Sequence, residues 1–258
     1  MIKRIITGII LFPALVLLIL KAPYWLVFSF LMLTAGICIF EWLNLFDFPG
    51  ILVLYGELLI LNALYWNFVT NFSEFFLFFI FLAGSFLPFL FNYKRETFGD
   101  AFFPLFTGLC YVFVGCLSFW KIFVYSRKLL LLFFCVVFAS DTGAYFIGKF
   151  FGRRPFFPEI SPKKTLEGFF GGVLFAITVS ILLSYYFNLF NLRQALNIGI
   201  MLAIVESIGD LFESAFKRLA GKKDSGKIIW GHGGMLDRID GALFSAPVFL
   251  IALRIFTK

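Results

Sequence analysis

A single histidine, fifteen acidic residues and no paired-cysteine motif leave few routes to chemistry in this 258-residue chain. One histidine excludes a histidine-rich metal centre, so any metal site has to be built on carboxylates. The four cysteines (Cys38, Cys110, Cys116, Cys135) all lie in apolar runs, without the spacing of a zinc site or a disulfide framework. Charge is scarce too: 14% of residues, against about a quarter in a soluble domain. That is too little polar side chain to cover a water-facing surface. No low-complexity linker and no strong internal repeat divides the chain.

What is present is apolar length. The sequence is 61% hydrophobic with 41 Phe. Nine runs, at about 5–20, 24–40, 51–69, 75–91, 102–123, 129–150, 169–190, 195–211 and 239–256, approach the roughly 20 residues that span a bilayer. They are continuous rather than alternating, which predicts helices and not barrel strands. The expected fold is therefore an all-α polytopic membrane protein of about nine transmembrane helices. Lys3 and Arg4 before Ile5–Leu20 mimic a signal peptide, but no small-residue cleavage site follows, so this run reads as an uncleaved first span.

Placing the N-terminus in the cytoplasm puts most of the 22 basic residues inside, with the 121–128 loop arguing locally against it. The net charge of +7 then describes a cytoplasmic face attractive to anionic headgroups and nucleotide phosphates. A chain this apolar is a poor nucleic-acid binder. Composition also divides it: residues 1–128 read as lipid-facing scaffold helices, and 129–258 as a catalytic region with cytoplasmic loops 151–168 and 212–238. Glu41, Glu57 and Glu74 receive no chemical role.

Three polar clusters lie in the second half. Asp141, with Ser140, Thr142 and Gly143, follows an apolar run, and a carboxylate at that depth needs a partner, a metal or a wet cavity. Ser161-Pro162-Lys163-Lys164-Thr165, ahead of Glu167 and Gly168, reads as a stiff turn opening a helix where a phosphate could dock. The glycines beyond it (Gly168, Gly171, Gly172) serve helix packing equally well. Glu206, Asp210, Glu213 and Lys217 recur at helical spacing and share one face. Three carboxylates on one face call for hard cations, and magnesium takes carboxylates together with substrate phosphates. Beyond them stand Lys217-Arg218, Lys223-Asp224, Gly226 and Gly231-His232-Gly233-Gly234, then Asp237-Arg238 and Asp240 at the start of the last span. Glycines around His232 let a phosphate approach closely, and a histidine there can relay a proton near neutral pH.

Ser214-x-x-Lys217-Arg218, Lys223-Asp224-x-Gly226 and Gly231-His232-Gly233-Gly234-x-Leu236-Asp237-Arg238-x-Asp240 together resemble the defining segment of the phosphatidate cytidylyltransferase (CDP-diacylglycerol synthase) family. The Asp141–Tyr145, Ser161–Gly168 and Gly209-Asp210 stretches are similar to that family's, so the resemblance runs from about Ser140 to Gly241. Trp230 stands where the family usually has proline.

The resemblance implies a magnesium-dependent reaction in which CTP and phosphatidate give CDP-diacylglycerol and pyrophosphate, in phospholipid biosynthesis at the inner (plasma) membrane. It implies catalytic roles for Asp210, Asp237, Lys217, Lys223 and His232. Metal ligands would come from Asp141, Asp210, Asp237 and Asp240, for one or two cations, the second of which could be monovalent. Substrate contacts would come from Ser161, Lys163, Lys164, Arg218, Asp224, Gly233, Gly234 and Arg238. A homodimer is compatible with this reading. Two alternatives share some of these groups: a CTP-dependent kinase of a polyprenol or other lipid alcohol, and a cation-coupled transporter.

Overall fold

The computed structural model describes residues 2–70, 74–90, 95–226, 228 and 233–256, with the backbone alone at 2–11, 70, 74–79, 89, 90 and 95–98. These residues form α1 (Ile2–Lys21), α2 (Tyr24–Leu45), α3 (Gly50–Thr70), α4 (Glu74–Leu90), α5 (Arg95–Tyr125), α6 (Arg127–Phe151), a hairpin of β1 (Pro155–Phe157) and β2 (Ser161–Thr165), then α7 (Leu166–Phe187), α8 (Leu192–Leu219) and α9 (Leu236–Phe256). Each of the nine apolar runs lies largely within one of these helices. Among the described residues, seven helices are long and apolar enough to cross a membrane: α2, α3, α5, α6, α7, α8 and α9. The chain is an all-α polytopic membrane protein.

Helix ends depart from the runs because hydrophobicity stops at a charge whereas the backbone ladder continues. Thus α8 carries its polar face on to Leu219, a turn or more past the run that ends at 211. Its start is set by a reciprocal pair: Asn191 Oδ1 accepts from Gln194 N–H at 2.9 Å, and Gln194 Oε1 accepts from Asn191 N–H at 3.1 Å. This capping box satisfies amides that the first turn leaves without partners. Thr165 caps α7 in the same way, accepting from Gly168 N–H at 3.1 Å, and Asn188 ends that helix in the left-handed conformation (φ 53°).

The Ser161–Thr165 segment differs from the turn expected of it. It is a strand, paired antiparallel with β1 in the register Pro155↔Thr165 and Phe157↔Ser161. Pro162 lacks an N–H, which a two-stranded ribbon tolerates on its outer side.

By its internal contacts the chain forms two compact units. The first comprises residues 1–22, 118–219 and 239–258. Within it α6 and α7 meet along a seam of small residues. A Cβ on Gly168 would stand 2.8 Å from the Ala144 carbonyl oxygen, and one on Gly143 would stand 2.7 Å from the Phe175 side chain. Close backbone approach of this kind is a membrane packing device. The second unit comprises residues 23–117 and 220–238. At its centre Trp42 is fully buried and its indole N–H donates to the Pro104 carbonyl at 2.8 Å, while Tyr55 donates to the Gly84 carbonyl at 2.9 Å.

Candidate active site

In the first unit, α8 and α6 bring three carboxylates together. Asp141, Glu206 and Asp210 each offer an oxygen, and all three oxygens lie within 4.8 Å of one another. At that separation two ionised carboxylates repel by about 3 kcal/mol for an effective dielectric near 20. Donors among the described residues oppose this, Ser207 Oγ to Glu206 Oε2 (3.4 Å) among them. Lys164 of β2 forms an ion pair with Asp210 Oδ2 at 2.5 Å. Ser140 donates to Glu206 Oε2 at 2.9 Å, and Ser214 donates to Asp210 Oδ1 at 3.2 Å.

Asp240, in the first turns of α9, adds a fourth carboxylate that senses the charges of Asp210, Glu213 and Asp141. The four carboxylates concentrate acceptor oxygens in one place. The donor set is oxygen only, with neither histidine nor cysteine, so it fits a hard cation such as Mg²⁺ and not a zinc-type centre.

Lys164 itself is held as a cation. Burial alone would lower its pKa, but the carboxylates of Asp210, Glu206 and Asp141 outweigh that and raise it above the ordinary lysine value. Lys163, its neighbour in β2, is exposed, and Ser161 begins the strand half-buried. Arg218 reaches back to this hairpin, its Nε donating to the Ile160 carbonyl at 3.2 Å. Lys217 is buried and pairs with Glu213 one turn earlier on α8. Glu167 accepts from the amides of Arg153 and Arg154 at 3.0 and 3.2 Å, which ties the hairpin's first residues to the start of α7.

Asp237 belongs to the second unit and is occupied differently. Its carboxylate accepts from the amides of Ser225 (3.0 Å) and Gly234 (2.8 Å), joining the two ends of the 225–236 connection. Gly233 there has φ of 85°, a conformation that favours glycine. Lys223, Asp224 and Arg238 are exposed. His232 and Trp230 lie outside the described residues.

Two acids in these arrangements received no site role from the sequence. Glu206 shares the helix face of Asp210 and is not among the ligands that the resemblance implies. The signal that singles it out is its step of four from Asp210, which places it on the side facing α6. Glu41 has no signal at all: it is one acid just past the end of an apolar run, and its partners are nearly 200 residues away along the chain.

Comparison with known proteins adds identity to this geometry. The model of the cytidylyltransferase family matches residues 2–256. Curated relatives include a phosphatidate cytidylyltransferase of Staphylococcus epidermidis, 41% identical over 161 residues. Others of the same name are from Staphylococcus haemolyticus (42% over 162 residues) and Staphylococcus aureus (40% over 162 residues). In each case the matched part spans 62% of this chain and 62% of the relative's length. With a family match over nearly its whole length, the chain belongs to the cytidylyltransferase family.

Proposed function

We propose that this protein transfers the cytidylyl group of CTP to phosphatidate, giving CDP-diacylglycerol and pyrophosphate. The observation that carries the proposal is the oxygen-only cluster of Asp141, Glu206 and Asp210 with Lys164 bound to it, in a chain about 40% identical to proteins named phosphatidate cytidylyltransferase. A phosphate oxygen of the lipid attacks the α-phosphorus of CTP. The bond from that phosphorus to the bridging oxygen of the β-phosphate breaks, and pyrophosphate leaves. Such a reaction asks the protein for positioning and for neutralisation of charge rather than for a covalent intermediate.

The residues divide that work. Asp141, Glu206 and Asp210, with Asp240 near them, would hold Mg²⁺ as one or two ions. Bound there, the metal would offset phosphate charge and align attacking and leaving oxygens. Lys164 keeps a fixed positive charge beside the cluster, and Lys163 and Arg218 extend the basic surface toward a phosphate-bearing substrate. In the second unit, Lys223, Asp224, Gly233, Gly234, Asp237 and Arg238 belong to the segment that would hold the nucleotide, as would His232. The acyl chains stay in the bilayer, the nucleotide comes from the cytoplasmic side, and catalysis falls to residues 129–258. A homodimer is compatible with this scheme.

The test is formation of CDP-diacylglycerol from CTP and phosphatidate by the purified full chain, with Mg²⁺ and with EDTA. The expected result is a Mg²⁺-dependent product with one pyrophosphate released per lipid. Release of CDP with a phosphorylated lipid alcohol would replace the proposal with a kinase.

A further inference from the structure

We propose that Glu41 is a positioning residue for the reaction: from within α2 its carboxylate fixes the 225–236 connection, and with it the start of α9. Glu41 is 2% exposed and is the one charged residue of the predominantly apolar helix α2. A buried carboxylate is costly unless hydrogen bonds replace its water. Here three donors do so. Ser225 Oγ–H donates at 3.2 Å, Met235 N–H at 3.0 Å and Leu236 N–H at 2.8 Å. The last two are amides at the start of α9, where a negative charge is favoured.

Packing around the carboxylate shows how closely it is built in. A Cβ on Gly226 would lie 2.5 Å from Glu41 Oε1, and one on Gly234 would lie 2.7 Å from its Cδ. Both glycines therefore pack directly against Glu41, and Gly234 against Ser225 Oγ as well. The same helix end holds the connection a second time, for Lys222 Nζ donates to the Asn44 carbonyl (2.8 Å) and to Asp47 (2.7 Å).

A local Ser or Asp would suffice to cap α9. A carboxylate supplied from 195 positions away does something a local cap does not: it couples the loop to a membrane helix. Asp237 closes the loop on itself through Ser225 and Gly234, and Glu41 anchors that closed loop to α2. The inference rests on reading this connection as the nucleotide-holding segment, and it moves a residue of the scaffold half into the reaction's support.

The experiment compares Glu41→Gln, Glu41→Asp and Glu41→Ala in the full chain, measuring CTP and phosphatidate kinetics and hydrogen–deuterium exchange of the backbone. Glu41→Gln keeps the shape and loses the charge. It is expected to lower kcat/KM for CTP about tenfold or more, the scale of a small misplacement, to leave KM for phosphatidate unchanged, and to speed exchange at 225–236 alone. Wild-type kinetics in Glu41→Gln, with or without faster exchange, would reduce Glu41 to a structural cap and overturn the proposal. Should Glu41→Ala fail to fold, Glu41→Gln and Glu41→Asp still decide. If the wild type makes no CDP-diacylglycerol, the functional reading fails by itself, and unchanged exchange in Glu41→Gln would then separately sink the anchor.

Discussion

The two compact units each gather carboxylates in largely apolar surroundings and treat them in opposite ways. In the second, Glu41 and Asp237 point at backbone amides and side-chain donors, and the protein's own hydrogen bonds answer their charge. In the first, Asp141, Glu206 and Asp210 converge on one another, with Lys164, Ser140, Ser207 and Ser214 among their partners. Carboxylates satisfied by amides build a frame. Carboxylates held against their mutual repulsion suit a site whose charge a bound cation would complete, as the proposed function has it. The same residue types thus separate into support and chemistry by what faces them.

That contrast can be broken by substitution. Asp210→Asn removes charge from the convergent set and should cut CTP turnover by about a hundredfold to a thousandfold, as loss of a central electrostatic group does. Asp237→Asn keeps an acceptor for its amides, so its loss should be smaller. Equal losses in steady-state assays would erase the distinction. Glu206→Gln should lower activity about tenfold to a hundredfold and raise the Mg²⁺ needed for half-maximal rate, in the range known for weakened metal sites. Mg²⁺ should likewise raise the melting temperature of the wild type, through preferential binding to the folded state, and do so less for Glu206→Gln.

Lys164 sharpens the comparison through pH. Its pKa in the fold lies above the ordinary lysine value, so its stabilising charge is complete below the unfolded lysine's pKa, near 10.4. That contribution is lost only as pH rises through the higher folded value. Rate profiles of wild type and Lys164→Arg should therefore run parallel from neutral pH to about pH 9, whereas Lys164→Ala should be slow throughout. The smallest effect is expected at Thr165. Replacing it by Ala deletes the α7 cap and should cost about 1 kcal/mol in denaturant unfolding, with little change in KM for CTP.

Much of this was legible beforehand. Long apolar runs gave the helices because lipid forces the backbone to satisfy itself, and spacing alone put Glu206, Asp210, Glu213 and Lys217 on one face of α8. Other features left no local trace. The hairpin carrying Lys164 was hidden by Pro162, which reads as a turn residue. The Glu41 anchor was hidden by distance, since no pattern in α2 announces partners at Ser225 and Leu236. The boundary of the compact units was equally silent, because the 220–238 segment packs with helices that precede it by more than a hundred residues.

The hairpin's register has one further consequence. The pairing shifts register between Pro155 and Phe157, opposite Lys163 and Lys164, and the two lysines are not a doublet of equal charges. Lys164 is committed to Asp210, and Lys163 is left exposed. Inserting one neutral residue between Ser161 and Lys163 would disturb that register, and with it the Lys164–Asp210 pair, without altering charge or the Lys-Lys pair itself. In this segment, phase along the strand carries information that the letters alone do not.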